Sequence, residues 1–99
     1  MPAAFAVESM AFYGCAMSEV VIPDSVQTIR MYAFENCKNL TTVTFGNGIT
    51  YLHPEIFGDD NGTTYSPNLT TINVPWSEGE VAGAPWGATN ATINYNYVK

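Results

Sequence analysis

The chain is short of charge, and of positive charge above all. Only 12% of its 99 residues are charged, about half of the ~25% usual for soluble domains. Three bases (Arg30, Lys38, Lys99) face nine acids (Glu8, Glu19, Asp24, Glu35, Glu55, Asp59, Asp60, Glu78, Glu80), for a formal net charge of −6. Phosphate binding needs a cationic stripe, so nucleic acid is not an expected partner. An anionic membrane surface is disfavoured for the same reason. No apolar run approaches the ~20 residues of a membrane span, so no membrane insertion is expected. The first residues, Met1 to Glu8, carry neither a basic segment nor a long apolar one and do not form a signal peptide. The chain is then either cytoplasmic or a piece of something longer, and the repeat register described below favours the second.

Histidine and cysteine are scarce as well. His53 is the one histidine, and Cys15 and Cys37 are the two cysteines. A catalytic site needs a nucleophile, a base and a polarising group that converge. No serine lies in a nucleophile-elbow motif, no glycine-rich phosphate loop is present, and no cofactor is expected. A metal site would need ligands beyond the two cysteines, so no metal is expected either.

What the sequence does have is repetition. Ala11-Phe12-Tyr13-Gly14-Cys15 recurs as Ala33-Phe34-Glu35-Asn36-Cys37, and Asn39 to Phe45 (NLTTVTF) recurs as Asn68 to Val74 (NLTTINV). A period in the low twenties marks stacked supersecondary units. Val7 to Phe12, Ile29 to Phe34 and Leu52 to Phe57 share one pattern: an aliphatic residue, three variable positions, a small or aliphatic residue, then Phe. Phe12, Phe34 and Phe57 should therefore form a ladder. Strand-like runs follow at Met17–Ile22, Leu40–Phe45 and Leu69–Val74, each closed by a turn at Pro23–Ser25, Gly46–Gly48 and Pro75–Ser77. One residue is missing after Cys15, and an insertion runs from Gly58 to Pro67.

Each unit puts its apolar positions inside. Leu40, Val43 and Phe45 should face inward, and Thr42 and Thr44 outward. β-Branched Thr and Val favour strands at these positions. Arg30 to Phe34 has room for only a short turn of helix or 3₁₀ on the opposite side. The expected architecture is a right-handed solenoid with a narrow parallel sheet on one face and short helical turns opposite. It is one domain over 1–99, with repeats at about 4–25, 26–48 and 49–76 and a C-terminal cap over 77–99. In the cap a short helical turn is expected near Val81 to Ala84. A last strand at Ala91 to Tyr95 should pair beside Leu69 to Val74, with Trp76 and Trp86 as the lid.

The N-terminal end has no such cap. Ala4, Val7 and Phe12 should lie near an exposed end of the stack. Exposed apolar patches of this kind mark association sites, so a homodimer through this face is one expectation and an upstream continuation of the array is the other. Cys15 and Cys37 hold the same position in successive repeats. A bridge is sterically conceivable, but buried thiols acting as small hydrophobes are the simpler reading.

The motifs Ala-Phe-x-x-Cys (11–15, 33–37), Asn-Leu-Thr-Thr-Val-Thr-Phe (39–45) and Ile-Pro-Asp-Ser-Val-x-x-Ile (22–29) resemble the BspA-like leucine-rich repeats of bacterial surface antigens. The tail, Val74-Pro75-Trp76 through Ala84-Pro85-Trp86-Gly87 to Ile93, is similar to the closing segment of such proteins in gut bacteria and their phages. The resemblance covers nearly the whole chain. It implies a leucine-rich repeat solenoid (α/β or mainly β), an extracellular or cell-surface location, and adhesion to host proteins or other cells.

The candidate binding residues form the outward strand row: Glu19, Val21, Thr42, Thr44, Thr71 and Asn73. Solenoids bind along such extended faces, although Thr favours exposed strands whatever the function. The aromatics Tyr51, Tyr65, Trp76, Trp86, Tyr95 and Tyr97 could stack on sugars, but filling the cap is the simpler role for the tryptophans. Asp59-Asp60-Asn61-Gly62 has oxygen ligands but lacks the spacing of a calcium loop, and reads as a solvated turn. His53 reads as an ordinary surface residue. The leading functional expectation is a non-catalytic module that binds a protein or glycan as part of a surface-exposed, adhesin-like protein. The alternative is a purely structural C-terminal unit of a longer array.

Overall fold

The computed structural model describes residues 6–7, 14, 16–34, 36–58, 66–88 and 90–98. Among the described residues the regular structure consists of seven short strands: β1 (Ala6–Val7), β2 (Glu19–Val21), β3 (Thr28–Ile29), β4 (Thr42–Thr44), β5 (Tyr51–Leu52), β6 (Thr71–Asn73) and β7 (Thr92–Asn94). They form two parallel sheets, ordered β1-β3-β5 and β2-β4-β6-β7. From β1 to β6 the chain passes alternately through one sheet and then the other, as a repeated unit must if like segments are to lie side by side.

The register matches the sequence repeat residue for residue. Glu19, Thr42, Thr71 and Thr92 are paired in one row, Val20, Val43, Ile72 and Ile93 in the next, and Val21, Thr44, Asn73 and Asn94 in the third. The same backbone bond recurs at the end of each strand: the amides of Ile22, Phe45 and Val74 donate to the carbonyls of Thr44, Asn73 and Asn94 at 2.8, 2.9 and 3.0 Å. Threonine at the strand entrances adds a second tie. Thr41 Oγ1 donates to the Ser18 carbonyl at 2.9 Å, and Thr50 Oγ1 to the Gln27 carbonyl at 3.2 Å. The pairing of the last strand beside Leu69–Val74 is as the sequence leads one to expect.

The middle row and its neighbours fill the space between the sheets. Val20, Ile22, Ile29, Phe34, Leu40, Val43, Phe45, Leu52, Phe57, Leu69, Ile72 and Val74 belong to one buried cluster. Phe34 and Phe57 stack with ring centres 5.2 Å apart. Phe12, the first rung of the expected ladder, lies outside the described residues. Cys37 is buried in the same cluster, and Cys15 lies outside the described residues. Three residues before each of Leu40 and Leu69 the chain makes the same tight turn, in which the leucine amide donates to the carbonyl of Cys37 or Ser66 at 3.4 and 3.1 Å. Ser66 therefore takes the cysteine's place in the next unit. It is buried, and its hydroxyl donates to the Phe34 carbonyl at 3.0 Å. The insertion enters ahead of this turn, between Phe57 and Ser66, and leaves the strand after it in register.

The expected helical turns are absent among the described residues. Positions 31–34 form hydrogen-bonded turns, with Tyr32 in the left-handed region at φ 61°. The amides of Tyr32 and Phe34 donate sideways, to the carbonyls of Glu55 and Ile56 in the next unit, at 3.3 Å each. A helix would spend those amides within its own turn. Lateral bonding between units takes them instead, so residues 31–34 form turns, and the second sheet is made by the residues just before them, Thr28–Ile29, paired with Ala6–Val7 and Tyr51–Leu52. The turn near Val81 to Ala84 is not helical either. Gly83, Trp86 and Gly87 all have positive φ (93°, 54° and 87°), which breaks a right-handed helix at each of them.

Residues 77–88 pack against the third unit. Trp86 is fully buried, and its Nε1 donates to the Ala82 carbonyl at 2.9 Å. The Phe57 amide donates to the Trp86 carbonyl at 2.9 Å. Gly87 comes so close to the third unit that a Cβ there would meet the Gly58 nitrogen at 2.4 Å. Phe45, Trp76 and Trp86 pack with ring centres 5.9–6.3 Å apart, an arrangement in which each aromatic pair contributes ~0.5–1.5 kcal/mol beyond its buried area.

Candidate binding face

The four-stranded sheet has one side turned to the core and one turned away. Alternation along a strand sends the middle row inward and the two flanking rows outward. In-register stacking then sets each outward side chain beside its counterparts on the neighbouring strands, at roughly 4.8 Å. The two outward rows meet different fates.

The first outward row, Glu19–Thr42–Thr71–Thr92, stays open. Glu19 and Thr92 are exposed, and Thr42 and Thr71 are half-buried. The other row is closed in the middle. Val21 at one end is 57% exposed and Asn94 at the other is exposed, but Thr44 and Asn73 between them are only 5% and 6% exposed. Their polar atoms bond along the row. Asn73 Nδ2 donates to Thr44 Oγ1 at 3.1 Å, and Asn94 Nδ2 donates to Asn73 Oδ1 at 2.8 Å. The expectation that Thr44 and Asn73 offer side chains to a partner is therefore corrected. Both point away from the core, yet their polar atoms are engaged along the row and neither side chain is open to solvent. Glu19, Val21, Thr42 and Thr71 remain accessible, and Thr92 joins them.

The proposed self-association residues Ala4 and Phe12 lie outside the described residues, and Val7 is placed only as part of β1. The Asp59–Gly62 loop and Tyr65 also lie outside the described residues. His53 is half-buried, and its Nδ1 accepts from the Glu55 amide at 3.0 Å, which ties it to its own loop. Among the described residues no three His, Cys, Asp or Glu side chains group closely enough to hold a metal ion. No helix among them is long and apolar enough to cross a membrane.

The aromatics expected to crowd the C-terminal half divide by role. Trp86 is interior, whereas Tyr51 and Tyr97 are exposed and Tyr95 is half-buried. Half-buried Trp76 lines an open cleft of about 500 Å³ with Asn47, Ile49, Thr50, Pro75, Glu80 and Val81. The Trp76 indole N–H is buried and has no acceptor among the described residues. Sequence reasoning did not find this cleft. Its walls come from the turn at 47–50 and the segment at 75–81, which no sequence motif links.

A family model described as a BspA type leucine rich repeat region (6 copies) matches residues 6–78. Neither a curated protein nor a solved structure matches the chain. The match takes in six of the seven strands, the register that pairs them and the buried ladder between the sheets, and the chain belongs to the BspA-type leucine-rich-repeat family.

Proposed function

We propose that the chain is a non-catalytic recognition module that binds a protein partner, or failing that a glycan, along its outward sheet face. In this reading it is a right-handed solenoid closed at its C-terminal end by residues 77–99. It serves at a bacterial or phage surface as part of an adhesin-like protein. The observation that carries the reading is the open row Glu19–Thr42–Thr71–Thr92: four side chains from four successive strands, in register and reachable from solvent. At parallel-strand spacing the row spans roughly 14 Å. Three of its members offer hydroxyls and one a carboxylate, on a rigid sheet rather than a loop.

Thr42→Arg and Thr71→Arg test the reading. Each places a long cation at the centre of the row without entering the core. Saturable binding to a host-matrix protein or glycan array, weakened at least tenfold by either change while the circular dichroism spectrum is kept, supports the reading. The packing of Trp86 and Gly87 against the third unit favours the structural alternative, in which this segment serves to end the stack. Silence on every array, or binding indifferent to both substitutions, would decide for it.

A further inference from the structure

The four-stranded sheet ends on β7. Among the described residues β7 pairs with β6 alone. Its Thr92 amide donates to the Thr70 carbonyl, and its Asn94 carbonyl accepts from the Val74 amide. Alternate residues of a parallel strand bond to opposite sides, so the N–H and C=O of Ile93 face the outer edge. The chain leaving β7 does not cover that edge. Asn96 and Tyr97 donate back to the carbonyls of Trp76 and Val74, each at 2.8 Å.

Natural edge strands are usually blunted by lysine, proline or a bulge. β7 has none of these. Its sequence Thr92-Ile93-Asn94 is identical to Thr71-Ile72-Asn73 of β6, so it offers outward the same three side chains that its own partner offers to it. Ala91, Ile93 and Tyr95 pack against the core yet remain half-buried, which leaves apolar surface open at this end. The electrostatics also differ here from the rest of the molecule. Residues 81–98 contain no Asp, Glu, Lys or Arg, although the chain carries a net charge of −6. The opposite edge of the same sheet, β2, carries Glu19, so two β2 edges would bring like charges together.

We propose that β7 is a self-pairing edge: two copies of the chain join by antiparallel β7–β7 pairing about a two-fold axis at Ile93. An edge-facing residue at the centre of an antiparallel pair exchanges both backbone bonds with its counterpart, and Ile93 is that residue. Thr92 of one copy then lies opposite Asn94 of the other. Asn94 already spends an amide hydrogen on Asn73 Oδ1, which leaves its own Oδ1 to accept from the facing Thr92 hydroxyl. On the core side Ala91 meets Tyr95 and Ile93 meets Ile93, so small faces large across the axis. The axis stands perpendicular to the sheet, so the core side of one copy continues into the core side of the other. The product is an eight-stranded sheet that closes as a dimer, because an isologous contact leaves no further free copy of itself.

Analytical ultracentrifugation of the full chain at 10–500 µM, with hydrogen exchange at the Ile93 amide, tests this. The wild type should sediment at twice the 10.8-kDa chain mass, with Ile93 exchange slowing as concentration rises. Thr92→Lys, at an exposed position, should return the single mass and fast exchange with an unchanged circular dichroism spectrum, and with a melting temperature that no longer rises with concentration. Val21→Lys on the β2 edge should leave the dimer intact. A wild-type monomer throughout this range, or a dimer that survives Thr92→Lys, overturns the proposal, the latter in favour of the face containing Ala4, Val7 and Phe12. A ladder of larger species abolished by Val21→Lys also overturns it, in favour of head-to-tail stacking of β7 on β2.

Discussion

The bonded row Thr44–Asn73–Asn94 should behave as a unit, and a double-mutant cycle measures it. Asn73→Val removes two hydrogen bonds, at 3.1 and 2.8 Å, and strips a buried hydroxyl of its donor. A typical hydrogen bond contributes ~0.5–1.5 kcal/mol net, and an orphaned buried group costs ~1–3 kcal/mol. The expected loss is about 2–3 kcal/mol. For a domain of this size that lowers the melting temperature by roughly 8–24 °C, at ~4–8 °C per kcal/mol. Thr44→Val should cost about 1–3 kcal/mol, because it leaves Asn73 Nδ2 buried without its acceptor. The double substitution Thr44→Val/Asn73→Val should cost no more than Asn73→Val alone. Both polar partners are then gone, valine suits a strand, and Asn94 is exposed enough for water to replace its lost bond. The coupling energy should therefore reach about 2 kcal/mol. Urea unfolding followed by tryptophan fluorescence and by circular dichroism gives all four corners of the cycle. Effects that add to within ~0.5 kcal/mol, the behaviour of independent sites, would refute the idea that the row is closed by mutual bonding.

Two further substitutions probe the packing of one unit on the next. An ideal Cβ at Gly48 would sit 2.0 Å from the Asp24 carbonyl oxygen and 3.0 Å from that of Val26, so Gly48→Ala forces backbone against backbone and should cost at least the ~1–3 kcal/mol of an overpacked site, read as a lower urea midpoint at unchanged slope. Trp86→Phe removes the bond to Ala82 and part of a fully buried ring; it should cost about 2–4 kcal/mol and leave the circular dichroism of the sheets unchanged at low temperature.

The parts of this fold that the sequence discloses are those the repeat copies. Val43 and Ile72 occupy equivalent places in near-identical heptads, and the register between β4 and β6 follows from that alone. β7 was legible because Ala91–Tyr95 alternates as the earlier strands do. The third occupant of the cysteine position was hidden, because Ser66 lies at the end of an insertion that breaks the repeat spacing. The helical turns failed for a reason local propensity cannot contain. Tyr32 adopts positive φ (61°) without being glycine, and its amide and that of Phe34 donate to carbonyls of the next unit. The binding row was legible in direction and not in access. Alternation assigns Thr44 to the outer side, but burial depends on what stands beside it in the stack, and the mutual bonding of Thr44, Asn73 and Asn94 appears only once three units are laid in register.

The open row and the self-pairing edge, taken together, bear on how strongly the module holds a clustered partner. The row itself carries one charge, at Glu19, so a partner would be selected by hydrogen bonding to hydroxyls with little electrostatic steering. Association should then proceed at the ~10⁵–10⁶ M⁻¹s⁻¹ of unsteered encounters and depend weakly on salt. A single row of four short side chains is a modest site. The two-fold at Ile93 runs perpendicular to the sheet, so it sets the open rows of both copies on the same side of one continuous surface. Two weak sites held at fixed separation convert the second contact into an intramolecular one, which raises avidity by ~10²–10⁴ without any new contact. Thr92→Lys should therefore separate the two effects. On a dense, immobilised ligand it should speed dissociation by one to two orders of magnitude. Thr42→Arg should weaken both the dense and the sparse surface, because it alters the row itself. Thr92 is also a terminal member of that row, so the sparse surface is the control: there avidity is absent, and Thr92→Lys should dissociate at the wild-type rate. If dissociation from the dense surface is equally fast for the wild type and Thr92→Lys, the dimer does not present its two rows together, and the geometry inferred for the joined sheets is wrong.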